Sequence, residues 1–191
     1  MNKIIAIVGM TGCGKSIVSD YLVSKGFGFL RMGQITLDEV KKKGLKPTEE
    51  NERPIREGFR KKYGMGAYAI LNFSEIDKLR EKGHVVADGL YSWNEYKEFE
   101  KKFGDDFICV AVHASPKIRY DRLAKRKLSK QDTDLRFRKA TNEQARARDF
   151  AEIENSDKGG PIAMAHYMIL NESTVEHVKK RVDEILKKIN I

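Results

Sequence analysis

The chain has 191 residues, 40% of them hydrophobic, and a formal net charge of +9, which suits one soluble domain with a substantial core. No apolar run approaches the ~20 residues of a membrane-spanning helix, and the N-terminal apolar run is a short strand leading into a glycine-rich turn, not a signal peptide. Two cysteines, Cys13 and Cys109, stand far apart, so no disulfide is expected and a reducing, cytoplasmic setting is.

Residues 3–8 are β-branched and predict a buried strand. Gly9-Met10-Thr11-Gly12-Cys13-Gly14-Lys15-Ser16 follows at once and fits the phosphate-binding pattern G-x-x-x-x-G-K-[ST]. Ile17, Val18, Tyr21 and Leu22 then recur at helical spacing and predict a helix over 15–25. Strand, glycine-rich turn and helix N-terminus together make an anion site, because backbone N–H groups converge on it and the helix dipole favours negative charge. Residues Gly9 to Ile17 are the expected nucleotide-binding run. Within it Lys15 reaches the β and γ phosphates and the Ser16 hydroxyl takes a position on Mg²⁺. A chance glycine-rich turn would lack these flanks. A dinucleotide fingerprint starting at Gly12-Cys13-Gly14 fails, since no glycine stands three residues after Gly14.

Residues 27–31 predict a second strand. Helical text from 36 to Gly44, a break at 45–48, a polar helix over 49–62, the turn Gly64-Met65-Gly66 and a helix over 67–81 follow, the last with Ile70, Leu71, Ile76 and Leu79 inward. Residues 84–88 are a third strand and 91–102 a helix with Trp93, Tyr96 and Phe99 on one face. A fourth strand spans 107–112. Pro116 opens a helix over 117–127, a further helix covers 134–154, and 156–161 reads as a loop. A fifth strand at 167–171 precedes a last helix from Thr174. Strands alternating with helices argue for an α/β fold, a parallel sheet covered on both faces. The stretch 36–81 is too long for one crossover and reads as a helical insertion over the carboxyl edge of the sheet, where ligands bind in such folds.

Asp88 ends the third strand before Gly89, in place to hold Mg²⁺ or to contact an acceptor. From Lys117 to Arg148 there are 12 Lys and Arg against 4 Asp and Glu, so most of the chain's positive excess sits in one stretch. Arg119, Arg122 and Arg126 share a helix face there, with Arg146 and Arg148 following. Arg122 and Arg126 are the expected catalytic arginines of a lid, neutralising charge on a phosphoryl group in transfer and excluding water. Arg53, Arg56 and Arg60 share a face of the insertion and suit an acceptor's phosphate, while neighbouring glutamates offer a salt-bridged surface helix instead. His84, His113, His166 and His177 show no metal-ligand spacing.

The P-loop, the strand ending Asp88-Gly89, the Arg122 and Arg126 region and the tail Tyr167-Met168-Ile169-Leu170-Asn171-Glu172-Ser173 together resemble the P-loop nucleoside and nucleotide kinase superfamily. Gly44-Leu45-Lys46-Pro47-Thr48-Glu49-Glu50-Asn51, Gly64-Met65-Gly66-Ala67, Val112-His113-Ala114-Ser115-Pro116 and Arg148-Asp149 are similar to a mainly archaeal family related to dephospho-CoA kinases and adenylate-kinase-like enzymes. The resemblance implies a single kinase-like domain over 1–191, a three-layer α/β/α fold with a five-stranded parallel sheet in the order 2-3-1-4-5, an acceptor-binding insertion over about 36–81 and a lid over about 117–154. It implies ATP and Mg²⁺ as cofactors, a small-molecule phosphate acceptor, and a base-binding loop at Asn171 to Ser173.

Three departures stand out. That family's second strand ends in a Met-Gly-Asp type turn followed closely by an arginine, where this chain has Met32-Gly33-Gln34-Ile35-Thr36-Leu37. An arginine after Asp88-Gly89 is replaced by Leu90-Tyr91-Ser92, and paired lid aspartates by Ser129-Lys130-Gln131-Asp132. Gln34 is no general base, which favours an acceptor that is already an ionised phosphate unless Asp38 or Asp88 substitutes. The leading expectation is an ATP-dependent kinase of a nucleotide or nucleotide-like acceptor. The alternatives are an ATP-binding switch with a protein partner and a nucleic-acid-binding ATPase, the latter disfavoured because Tyr120 and Phe137 are the basic stretch's only aromatics. Nothing in the sequence sets an oligomeric state.

Overall fold

The computed structural model describes residues 1–127 and 139–191. Residues 128–138, the middle of the expected lid, lie outside the described residues. Five strands form one parallel sheet: β1 (Ile4–Val8), β2 (Gly28–Arg31), β3 (Val85–Asp88), β4 (Phe107–His113) and β5 (Tyr167–Leu170), in the order β2-β3-β1-β4-β5. In register, Ile7 stands beside Asp88 on one side and Val110 on the other, and Arg31 stands beside Asp88. The resemblance implied this order, and the structure has it.

The period-2 alternation of the central strands sends their side chains to two cores. Ile4, Ala6 and Val8 face one side with Ala87, Phe107, Cys109 and Ala111. There they meet α4 (Ala67–Lys82) and α5 (Trp93–Phe103), whose Phe99 is fully enclosed. Ile5 and Ile7 face the other side with Val86, Val110 and Val112, under α1 (Lys15–Ser24) and α9 (Val175–Lys188). The apolar stripe of α9 is Val178, Val182, Ile185 and Leu186. Both cysteines are buried and unpaired, and burial pushes the Cys109 thiol up to about 12. No described helix is long and apolar enough to cross a membrane.

Between β2 and β3 lie α2 (Gln34–Lys42), α3 (Glu49–Tyr63) and α4. The inward stripe of α4 is Ala69, Asn72 and Ile76; Ile70 faces outward, contrary to the sequence reading, because Tyr68 and Ala69 turn the buried face one residue back. Asn72 Nδ2 donates to the carbonyls of Met32 (3.0 Å) and Tyr68 (2.7 Å), tying α4 to the end of β2.

The C-terminal half holds α6 (Pro116–Ala124), α7 (Asn142–Ser156) and α8 (Gly159–Ala163). The helix read over 134–154 starts at Asn142, where Thr141 and Gln144 form a capping box. Its first expected residues fall outside the described residues. Of the loop expected at 156–161, Ser156 ends α7, Asp157 and Lys158 connect the helices, and residues 159–161 begin α8. Pro161 sits in that helix's first turn, where its missing N–H costs nothing. Gly160 lies so close to Trp93 that a Cβ would come within 3.0 Å of the ring.

Candidate functional site

The P-loop joins β1 to α1 as a tight cradle. Gly9 has φ +150° and lies against β4, where a Cβ would come within 2.3 Å of the Val112 carbonyl. Gly14, the N-cap of α1, is left-handed with φ +94°, and a Cβ there would strike Asn171 Nδ2 at 2.1 Å. Only glycine fits both constraints. No side chain caps α1, so the orphan amides of its first turn are left for an anion. Lys15 Nζ donates to the carbonyls of Gly9 (2.8 Å) and Met10 (3.4 Å), folding back over the loop.

A cleft of about 790 Å³ opens at this carboxyl edge of the sheet. Thr11, Gly12, Gly14, Lys15 and Ser16 of the P-loop line it, and the wall supplied by the insertion includes Arg53, Arg56 and Arg60 of α3. Asp88 and Gly89 line it from the end of β3, and Arg126, Arg148 and Lys158 from the C-terminal half. The cleft therefore brings together Lys15, Ser16, Asp88 and Arg126 of the residues singled out in the sequence. It does not include Arg122. That guanidinium has a buried Nη1 without a hydrogen-bond partner among the described residues, and its charge acts on Glu172. Gly9, Met10 and Cys13 of the loop and Ile17 of α1 do not line the cleft; Cys13 is fully buried. Arg146 lies over the Phe150 ring instead.

Asn171, expected against a base, sits beneath the loop. It is buried and donates from Nδ2 to the Cys13 carbonyl at 2.8 Å, closing the underside of the turn. Arg119, expected beside Arg122 and Arg126, faces inward. Its guanidinium makes a two-pronged pair with Asp149 (2.9 and 2.5 Å) and also donates to the carbonyls of Thr11 and Ala114, both at 3.0 Å. Asp149 thus pairs across to α6 rather than with its neighbour Arg148. Tyr120, one of the two aromatics of the basic stretch, gives its hydroxyl to the same Asp149 at 2.9 Å, and Phe137 lies outside the described residues.

On α3 the helix-surface reading and the phosphate reading both have a foothold. Arg53 pairs with Glu57 at 2.8 Å, and Arg56 pairs with Glu49 (2.5 Å) and Glu52 (3.4 Å). Arg60 differs, because its Nε is buried and makes no hydrogen bond among the described residues. Thr36 and Tyr68 share a hydroxyl contact of 2.5 Å on the same wall. Gln34 points elsewhere, donating to the exposed Asp38 at 3.0 Å, so Asp38 does not stand in for the missing base.

Two acidic groups in the cleft region were not signalled by any motif. Glu152 of α7 is buried and joins three partners. It accepts from Lys158 Nζ (2.7 Å), from Arg148 Nε (2.9 Å) and from the Thr11 hydroxyl of the P-loop (3.2 Å). Burial opposes its charge, but Lys158 and Arg148 outweigh that and bring its carboxyl down to about 2. Glu95, on the first turn of α5, lines the cleft and accepts from the Tyr91 backbone N–H at 2.8 Å, while its own N–H donates to Ser92 Oγ. Burial pushes its carboxyl up to about 7, against the Tyr91 N–H and the charges of Arg60 and Lys158, which favour ionisation. Since the folded chain keeps this proton to higher pH than the unfolded one, stability falls as pH rises from about 4.5 to about 7. Glu95→Gln, which retains an acceptor for Tyr91, is expected to gain stability over the parent from pH 5 to pH 8, by up to about 3 kcal/mol. Thermal melts across that range check it, and a constant difference would show that Glu95 does not titrate there.

The oxygen donors Ser16 and Asp88 suit a hard divalent cation, and the uncapped α1 amides with Lys15 suit a polyphosphate. No cluster of three His, Cys, Asp or Glu residues with metal-site geometry is present among the described residues. Two of the histidines are tied to the backbone: His84 and His166 accept N–H bonds from Lys3 and Cys109, both at 2.9 Å.

A parallel sheet in this order, a P-loop after its central strand and an arginine-lined cleft above define a P-loop kinase type of nucleotide-binding fold. Residues 5–158 match the family described as AAA domain. The chain belongs to that family and to the UPF0200 proteins: it is 39% identical over 189 residues to the UPF0200 protein of Sulfurisphaera tokodaii, with 98% of this chain and 97% of the relative covered. Among solved structures it is similar to TT1252 from Thermus thermophilus (TM-score 0.64, 19% identity, 98% and 97% of the two chains). It is also similar to a shikimate kinase from Acinetobacter baumannii solved with shikimate (TM-score 0.55, 18% identity, 100% and 94%). At these identities the two structures speak for the fold alone.

Proposed function

We propose that the protein is an ATP-dependent phosphotransferase that acts on a small nucleotide-like acceptor bearing a phosphate. The observation that carries this reading is that the P-loop, Asp88 and the arginines of α3 line one and the same cleft. A switch needs only the nucleotide half of such a cleft. A kinase needs a second anion site facing the first, and Arg31, Arg56 and Arg60 supply the charge for one.

In this reading residues 1–191 are one kinase domain, with 36–81 binding the acceptor and 117–154 acting as lid. The α1 amides and Lys15 hold the β and γ phosphates, and Ser16 and Asp88 would hold Mg²⁺, which would supply neutralising charge to the phosphates. An acceptor oxygen forms the new bond to the γ phosphorus as the bond to the β–γ bridging oxygen breaks and ADP leaves. Arg126 and Arg148 stabilise the charge spread over the group in transfer. An acceptor phosphate is ionised at neutral pH and needs no base, consistent with Gln34 turned toward Asp38.

The test is ATP consumption with Mg²⁺ at neutral pH across nucleoside monophosphates, nucleosides and dephospho-CoA. ADP formation stimulated by a nucleotide acceptor is the expected result. ATP binding without stimulation by any acceptor would replace the kinase reading with that of a nucleotide switch.

A further inference from the structure

Lys158 precedes α8 in a stretch that reads as an exposed loop, yet its side chain is buried and lines the phosphate cleft. Its ammonium bonds Glu152 at 2.7 Å and lies 4.4 Å over the Tyr91 ring. Glu152 is also committed to Arg148 and to the P-loop hydroxyl of Thr11. One buried carboxylate therefore serves two cations, leaving this corner of the cleft with a positive charge in excess. A buried ammonium has little reason to persist beside a second cation unless an anion completes the set.

We infer that Lys158 is a second phosphate-contacting lysine, held in the same cleft as Lys15 by Glu152 and Tyr91 to engage the γ phosphate of a bound triphosphate. The charged and titratable groups facing it are Glu152 and Arg148 on α7, Lys15 on α1, Tyr91 ahead of α5 and Glu95 on α5. Burial lowers its ammonium to about 8, with Lys15 acting in the same direction and Glu152 against it. A γ phosphate is a further anion beside the ammonium and raises it again, so triphosphate binding near pH 8 takes up a proton at Lys158. Tyr91 and Lys158 also account for a departure noted in the sequence. Where the resembling family has an arginine after Asp88-Gly89, this chain has an aromatic ring that carries a lysine from α8's start.

The inference rests on the reading that the cleft binds ATP, and calorimetry separates the two. The intact protein is titrated with Mg²⁺ and either the β,γ-imido analogue of ATP or ADP, as parent, Lys158→Met and Lys158→Arg. The expected result for Lys158→Met is about a tenfold loss of affinity for the triphosphate, the scale of one charge-assisted hydrogen bond, with ADP nearly unaffected and Lys158→Arg largely restored. Titrations at pH 8 in buffers of different ionisation enthalpy are expected to show proton uptake for the parent that Lys158→Met lacks. Equal losses for both nucleotides, or unchanged proton uptake, would overturn the role of Lys158 alone. A parent that binds neither nucleotide would overturn the ATP reading itself. Should Lys158→Met fail to fold because Glu152 loses a partner, Glu152→Gln with Lys158→Met removes both charges and carries the same comparison.

Discussion

Lys15→Ala is expected to remove ATP-dependent turnover, by at least about a hundredfold, while leaving the fold intact. The two halves of this expectation have separate grounds. Among the described residues Lys15 Nζ bonds only carbonyls of its own loop, and the loop is held independently by Asn171 below and Arg119 beside it. Removing the ammonium therefore leaves the cradle standing. Its charge, however, is the group closest in chain and space to the helix N-terminus that receives the phosphates. Losing a donor aimed at developing phosphoryl charge costs on the order of 10²–10³ in rate. Turnover assays together with a thermal melt decide the matter. Unchanged turnover would mean that the P-loop is not the donor site, and a large drop in melting temperature would mean that Lys15 is structural.

Asp149→Ala is expected to be the most destabilising single change in the cleft region. Asp149 and Arg119 are both nearly enclosed, with side-chain exposures of 7% and 5%. Removing one partner of a buried pair leaves a desolvated guanidinium and costs about 3–5 kcal/mol. For a chain of this length that is a fall of about 10 °C in melting temperature. The damage extends to the site, because the stranded Arg119 also supports the Thr11 carbonyl. Arg119→Met combined with Asp149→Ala is expected to recover part of the loss, since it removes the uncompensated charge. A single variant that melts within 2 °C of the parent, no more than the shift expected from ~1 kcal/mol, would show that water or the Tyr120 hydroxyl replaces the carboxylate.

These expectations mark where the sequence was legible. The strands, the P-loop and Asp88 were readable because each is a local pattern: β-branched runs, a fixed glycine spacing, an acid at a strand end. Lys15, Ser16, Asp88 and Arg126 accordingly meet in one cleft. Arg119 was misplaced because spacings of three and four fix a helix face but not which face turns inward. Asn171 was read as a base contact, yet it meets the Cys13 carbonyl across 158 residues of chain, a pairing that only the sheet order creates. Lys158 and Glu152 gave no signal at all. A lysine in Ser156-Asp157-Lys158-Gly159-Gly160 and a glutamate in a charged helix look solvated until α8 packs on Trp93 and buries both.

The strand order has a consequence for how the chain is made. β1 and β2 leave the ribosome before the other strands of this sheet, and they share no hydrogen bond in the finished sheet. β1 finds its neighbours only when Val85–Asp88 and then Phe107–His113 have been synthesised. Its five apolar residues, every one of them buried at the end, must wait through the whole of α2, α3 and α4 for a partner. Parallel pairings of this separation are slow and leave apolar edges open meanwhile. The long insertion that lines the cleft thus also lengthens the time during which nascent β1 is vulnerable to aggregation.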